Sequence, residues 1–147
     1  MPYKKSQWWN VLLLLIRVWL AYAMIMNGNS VLDIFSSAKE REFFRHWFGD
    51  ELHFPFPVVM ATLAKGSEFF GGIFLALGFC TRIASSSIAF TMLVATLTAN
   101  LGENFNIDGG FTISYCLFAL IFVFWGGGKY SLDYLLFKQY RNNLSQL

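Results

Sequence analysis

Three ionisable side chains interrupt stretches of the chain that are otherwise apolar. Arg17 lies within the apolar stretch 8–26, and Lys65 and Glu68 lie within the stretch 58–79. Ionisable groups away from water cost several kcal/mol unless they are paired, so all three are expected to face a protein interior. A guanidinium matches a carboxylate in geometry, which predicts an Arg17–Glu68 pair at one depth between two antiparallel helices, with Lys65 adjacent on the same helical face.

Two interpretations of this triad remain open. The three residues either fasten two helices together, or they form part of a ligand site. Two cations against one anion leave one cation unmatched, and an unmatched cation in a wet cavity is typical of a site for an anionic or carbonyl-bearing ligand. Further polar residues are expected toward the outer end of the helices, where they extend this candidate site: Asn27, Asn100, Asn104, Asn106 and Asp108.

The composition indicates a membrane protein. Among the 147 residues, 56% are hydrophobic and only 14% are charged, against roughly 25% charged in average soluble proteins. A chain this apolar is not disordered. A net charge of +2 provides no basic field for phosphates, which excludes nucleic acid as an expected partner and leaves the lipid bilayer.

Four apolar segments predict the fold. They cover residues 8–26, 58–79, 83–101 and 111–128, and each approaches the ~20 residues that cross a bilayer as a helix. The predicted fold is an all-α integral membrane protein, an antiparallel bundle of four transmembrane helices that forms a single domain over 1–147. The alternative, a soluble helical protein with long buried helices, would need polar faces that the third and fourth segments lack.

The first segment also has features of a signal peptide. Lys4 and Lys5 precede it, and Ala21-Tyr22-Ala23 fits the small-residue cleavage pattern. Arg17 inside the apolar run disfavours cleavage, so the segment is expected to remain as a helix.

The distribution of lysine and arginine predicts the orientation. Six cations fall on the side that holds both termini, and three fall in the loop 27–57 on the other side. The six are Lys4, Lys5, Arg82, Lys129, Lys138 and Arg141, and the three are Lys39, Arg41 and Arg45. Because positive charge accumulates on the cytoplasmic side, both termini are expected there.

The first loop is predicted to hold a short interfacial helix. Ser36 or Ser37 could cap a helix over 38–48 that stops at Gly49, and the F-P-F-P sequence at 54–57 breaks the chain before the second span. Its aromatic residues suit the headgroup region, which favours an interfacial anchor. The functional alternative is a lid over an external opening.

Other patterns predict little chemistry. His46 and His53 both lie in the first loop, so the spans contain no histidine pair for haem, and no metal site is predicted. Cys80 and Cys116 are interpreted as small apolar side chains, with any redox role left open. Gly71 and Gly72 are expected to let two helices pack closely.

The motifs resemble the DoxX family of small four-helix membrane proteins. The resemblance rests on I-R-V-W-L-A-Y-A-M-I-M-N-G at 16–28, E-F-F-G-G-I-F-L-A-L-G-F-C-T-R at 68–82, the small and hydroxyl-rich third helix, and G-G-G-K-Y-S-L-D at 126–133. Ala21 stands where relatives have glycine, and Asn29, Ser30 and Val31 replace a lysine often found there. Lys65 is a candidate substitute for that lysine.

The resemblance implies a function only as a class. Relatives are described as subunits of membrane oxidoreductases related to thiosulfate:quinone oxidoreductase, which implies an inner-membrane location and a membrane or peripheral redox partner. The expected site combines Arg17, Lys65, Glu68, Asn100 and Asp108, with quinone or a sulfur oxyanion as ligand. Arg82, like Gly71 and Gly72, is expected to have a structural role.

Whether the chain is an enzyme is left open. The alternatives are a non-catalytic assembly factor for another membrane protein, or a small transporter, which would need to be a homo-oligomer.

Overall fold

The described part of the chain is helical throughout. The computed structural model describes the backbone of residues 7–100 and 107–144, and the side chains of 7–98 and 110–138. Seven α-helices and two π-helical turns occupy these ranges, without a strand, so the predicted all-helical class is confirmed there. The α-helices are α1 Gln7–Gly28, α2 Ser30–Ser36, α3 Ala38–His46, α4 Pro57–Leu77, α5 Thr81–Ala95, α6 Ile107–Trp125 and α7 Leu132–Leu144.

Two helical segments are long and apolar enough to cross a membrane. Within the described ranges they are Gln7–Ser36, which joins α1 and α2, and Pro57–Leu77. The predicted third and fourth spans correspond to α5 and α6. Helix α5 has 15 residues before the turn Thr96–Asn100, and within the described side chains α6 is apolar over Gly110–Trp125.

Glycines bring α1 and α4 into close contact. A Cβ atom on Gly28 would lie 2.3 Å from the amide nitrogen of Phe69, and one on Gly72 would lie 2.9 Å from Cγ1 of Ile25. Ile25 thus faces Gly72 and Gly28 faces Phe69, so residue numbers increase along α1 where they decrease along α4. The two helices are therefore antiparallel. This register fixes which residues of α1 and α4 share a depth.

Further side-chain contacts join α4 to α5 and α5 to α6. Ser67 Oγ and Thr91 Oγ1 lie 2.6 Å apart between α4 and α5, and Cys116 Sγ of α6 donates to the carbonyl oxygen of Ala89 at 3.5 Å. The main apolar core lies among α1, α4, α5 and α6. Its fully buried members include Leu20, Met24, Leu75, Ile88 and Phe122.

The first loop is folded against α4. Ser37 caps α3 as expected, since its Oγ accepts from the amide of Glu40 at 3.4 Å. The predicted end of this helix at Gly49 is wrong, because the π-helical turn Trp47–Glu51 carries the chain past that glycine. Phe44 and Phe48 are buried in a second apolar cluster with Ile34 and Ala61. These two rings therefore pack against the protein and not against lipid headgroups.

Candidate ligand-binding site

Arg17 is bound to backbone carbonyl groups near the end of the chain. Its side chain is buried, with 2% exposed, and its two terminal nitrogens donate to the carbonyl oxygens of Gly127 and Tyr130, each at 2.7 Å. The predicted Arg17–Glu68 pair is therefore wrong. Arg17 instead fastens the segment after α6 to α1.

The register of α1 and α4 explains this difference. Nη1 of Arg17 lies 2.8 Å from the point where Gly78 would carry a Cβ. Glu68 precedes Gly78 by ten positions, which is about 15 Å along a helix. Glu68 lies near the middle of α4 and Arg17 lies beside its C-terminal end, so the two charges do not share one depth. Close packing at Gly28 and Gly72 sets this register.

Asp133 completes a cluster at this end of the bundle. Its carboxylate accepts from the backbone amides of Cys80 and Thr81, each at 2.8 Å, and its own amide donates to the carbonyl oxygen of Gly78 at 3.0 Å. A carboxylate from a neighbouring helix thus caps the start of α5. The sequence predicted no role for Asp133, although it ends the Ser-Leu-Asp motif at 131–133.

Lys65 and Glu68 form an ion pair inside the protein. Lys65 Nζ lies 3.0 Å from Glu68 Oε2, and the side chains are only 18% and 4% exposed. The sequence suggested that Lys65 is an unmatched cation. In the structure Lys65 is the partner of Glu68, because Arg17 binds elsewhere. The pair is neutral as a unit, and this removes the strongest reason to expect an anion beside it.

A cavity of about 480 Å³ lies beside this pair, between α4 and α5. Lys65 and Glu68 line it, as do Ser67 and Thr91, whose hydroxyl groups bond to each other. Most of the remaining wall is apolar. The segment after α3 forms a cover through the following residues: Trp47, Phe48, Leu52 and Phe54.

The cavity opens toward the surface of the bundle. Leu63 and Phe90 line it and are themselves 62% and 68% exposed, on α4 and α5 respectively. Large exposed apolar side chains beside the candidate membrane helix α4 suit contact with lipid rather than water. The opening is thus suited to an apolar molecule that arrives from within a bilayer.

This arrangement suits a small amphiphile better than a metal or an anion. Ammonium and hydroxyl groups donate hydrogen bonds to a carbonyl oxygen, and the apolar walls would surround a hydrocarbon portion. Among the described residues, no group of three or more His, Cys, Asp or Glu side chains is placed to hold a metal ion.

The remaining predicted site residues have mixed placements. The side chains of Asn100 and Asp108 lie outside the described residues. A Cβ on Gly71 would lie 3.1 Å from Ile88, which makes this a close contact between α4 and α5 as Gly72 is between α4 and α1. Arg82 donates to the carbonyl oxygen of Phe124 at 3.4 Å in an exposed position, joining α5 to α6.

The outer helix α3 carries a separate, exposed charge network. Arg45 donates a hydrogen bond to Glu42, and His46 lies 3.2 Å from Glu42 and 2.5 Å from Asp50. The hydrogen bond from Arg45 is the main reason that the pKa of Glu42 lies below its ordinary value. These side chains are exposed and are not among the residues that line the cavity.

Comparison with known proteins identifies the family. The DoxX family profile matches residues 12–101. An uncharacterized protein of Haemophilus influenzae is 30% identical to the chain over 88% of this chain and 86% of its own length. No solved structure matches the chain. The profile spans α1 through α5, including both walls of the cavity, and on this basis the chain belongs to the DoxX family.

Proposed function

We propose that this DoxX protein is a membrane subunit of an oxidoreductase complex that binds a quinone in the cavity between α4 and α5. The observation that carries the proposal is the cavity of about 480 Å³, lined by the buried Lys65–Glu68 pair and by exposed apolar side chains. Family membership supports a membrane protein with links to oxidoreductases. A quinone combines carbonyl oxygens with an apolar ring and tail.

The proposed topology is a four-span antiparallel bundle in the inner membrane, with both termini in the cytoplasm. Helix α5 supports it, because the turn Thr96–Asn100 extends the helical path toward the length of a span. The six-to-three distribution of cations supports the orientation. Single-cysteine labelling at positions 5, 45 and 138 tests it, with both native cysteines replaced. Position 45 should label from the opposite side to the other two, and labelling from the same side contradicts the topology.

A neutral carbonyl ligand fits the charges better than a sulfur oxyanion. Glu68 already neutralises Lys65 at 3.0 Å, and Arg17 is held on Gly127 and Tyr130. An oxyanion entering this cavity would need to displace Glu68 or bring its own cation, at the cost of losing its hydration.

The quinone receives its electrons from a partner. The predicted spans contain no histidine for haem ligation, so the role assigned to this chain is to bind and orient the quinone. The partner carries the redox centre.

The binding test uses protein in lipid nanodiscs and a short-chain quinone, with thiosulfate as the anionic probe. Lys65→Met combined with Glu68→Gln removes the polar groups without leaving a buried charge unpaired. This double variant should weaken quinone binding at least tenfold. Lys129→Met is the matched control, because it removes an exposed lysine outside the cavity, and it should bind as the wild type does. Thiosulfate should bind none of the three proteins.

Two outcomes would overturn the proposal. If the folded double variant binds quinone as tightly as the wild type, the ion pair only fastens α4. If the wild type binds no quinone, the assembly-factor interpretation takes precedence. Native mass spectrometry of protein extracted in mild detergent distinguishes these outcomes, because a bound quinone adds its mass to the intact protein.

A further inference from the structure

We infer that α7, Leu132–Leu144, lies along the membrane surface and binds an anionic lipid leaflet. This surface is separate from the cavity between α4 and α5. Its side chains are described up to residue 138. The inference rests on where α7 is anchored, on its exposed apolar residues and on the cations beside them.

The start of α7 is fixed where the candidate membrane helix α4 ends and α5 begins. The amide of Asp133 donates to Gly78, directly after α4, and its carboxylate holds the first amides of α5. Gly126 and Gly128, with φ of 70° and 75°, turn the chain between α6 and α7. Because α4 ends and α5 begins here, α7 starts at the depth where the chain leaves the bilayer.

Helix α7 then exposes consecutive large apolar side chains. Leu135 and Leu136 are more than half exposed, and Phe137 is 75% exposed. Such a run facing water would be unfavourable at about 25 cal/mol per Å² of apolar surface. At the bilayer boundary the same residues enter the layer between headgroups and acyl chains, as in other interfacial helices.

Aromatic residues surround this position at the same end of the bundle. Trp8 lies in the first turn of α1, which is antiparallel to α4, and Trp125 ends α6. Both are exposed, as is Tyr130. Tryptophan and tyrosine concentrate at the membrane–water boundary, so these rings mark the level at which α7 begins.

Charge selects an anionic leaflet over a neutral one. Lys129 and Lys138 are exposed on either side of the apolar run, and the sequence adds Arg141 within the helix. A basic residue near an anionic membrane surface strengthens binding about fivefold. A second protein copy is the less favoured occupant, because self-association would bring these cations together.

Depth measurement on the full-length protein tests the location. Nitroxide labels are placed at Leu136→Cys and Lys138→Cys in separate samples, with Cys80 and Cys116 replaced by Ser. Nanodiscs are made of phosphatidylcholine with phosphatidylglycerol. The label at 136 should be more accessible to oxygen than the label at 138. The label at 138 should be more accessible to a water-soluble nickel chelate than the label at 136. Equal exposure of both labels to nickel overturns the inference, as does close label-to-label contact between two copies.

Lipid competition tests the charge contribution. The retained phosphatidylglycerol is measured in mixed micelles for Lys129→Gln combined with Lys138→Gln. The preference of the protein for phosphatidylglycerol over phosphatidylcholine should fall about fivefold for each lysine that is replaced. The matched control Lys129→Arg with Lys138→Arg should keep the preference. If the glutamine variant retains phosphatidylglycerol as the wild type does, α7 does not recognise anionic lipid. Neither readout involves quinone, so the two proposals fail independently.

Discussion

The position of Arg17 can be tested by coupling energies. In the structure Glu68 pairs with Lys65 at 3.0 Å, whereas Arg17 contacts the position of Gly78, about 15 Å farther along α4. With an effective dielectric constant of about 20, two unit charges attract by about 5.5 kcal/mol at 3 Å and about 1.1 kcal/mol at 15 Å. Desolvation reduces the first value, but the order of the two couplings should survive.

Two double-mutant cycles measure this difference. One combines Lys65→Met with Glu68→Gln, and the other combines Arg17→Met with Glu68→Gln. The assay is reversible unfolding in mixed detergent micelles, which gives a free energy of unfolding for each variant. The Lys65–Glu68 coupling should exceed the Arg17–Glu68 coupling severalfold. Equal couplings would refute the register of α1 against α4, since they would place Arg17 and Lys65 at similar distances from the carboxylate.

Three further predictions concern the connecting segments. Gly78→Ala should lower the melting temperature, because φ is +67° there and the new Cβ would lie within 2.8 Å of neighbouring atoms. Gly110→Ala, where a Cβ meets nothing within 4 Å, should not lower it. Asp133→Ala removes the carboxylate cap of α5 and should cost about 1–2 kcal/mol in chemical unfolding, with Asp133→Asn less affected. Arg45→Gln should raise the pKa of Glu42 in an NMR titration, because the lowered pKa depends mainly on that hydrogen bond. With its pKa lowered in the folded state, Glu42 contributes a small stabilisation above its ordinary pKa, lost as pH falls through the lowered value. An unchanged pKa of Glu42 in Arg45→Gln would contradict the hydrogen bond between the two side chains.

Local signals in the sequence predicted local structure well. Ser37 caps α3, and α4 begins at Pro57, the last residue of the F-P-F-P sequence. Each of these features depends on a few neighbouring residues, whose hydrogen-bonding capacity or fixed dihedral angle is readable from residue type. The adjacency of Lys65 and Glu68 likewise follows from their spacing of three on one helix.

Features that depend on contacts between helices were not predictable in this way. Placing Arg17 opposite Glu68 assumed that the centres of two apolar stretches coincide. The register instead follows from Gly28 and Gly72, and which neighbour a glycine faces depends on the rotation of each helix. The role of Asp133 as a cap is similar, because it acts on a helix more than fifty residues earlier in the chain.

Photoaffinity mapping of a quinone analogue tests the proposed ligand site most directly. Wild-type protein in nanodiscs is irradiated with a photoreactive quinone, and the modified peptides are located by mass spectrometry. The cavity predicts adducts on the N-terminal half of α4, on the C-terminal half of α5 and on the cover at Trp47, all suppressed by excess unmodified quinone. Adducts confined to α6 or α7, or adducts that excess quinone does not suppress, would contradict the assignment of this cavity as a quinone site.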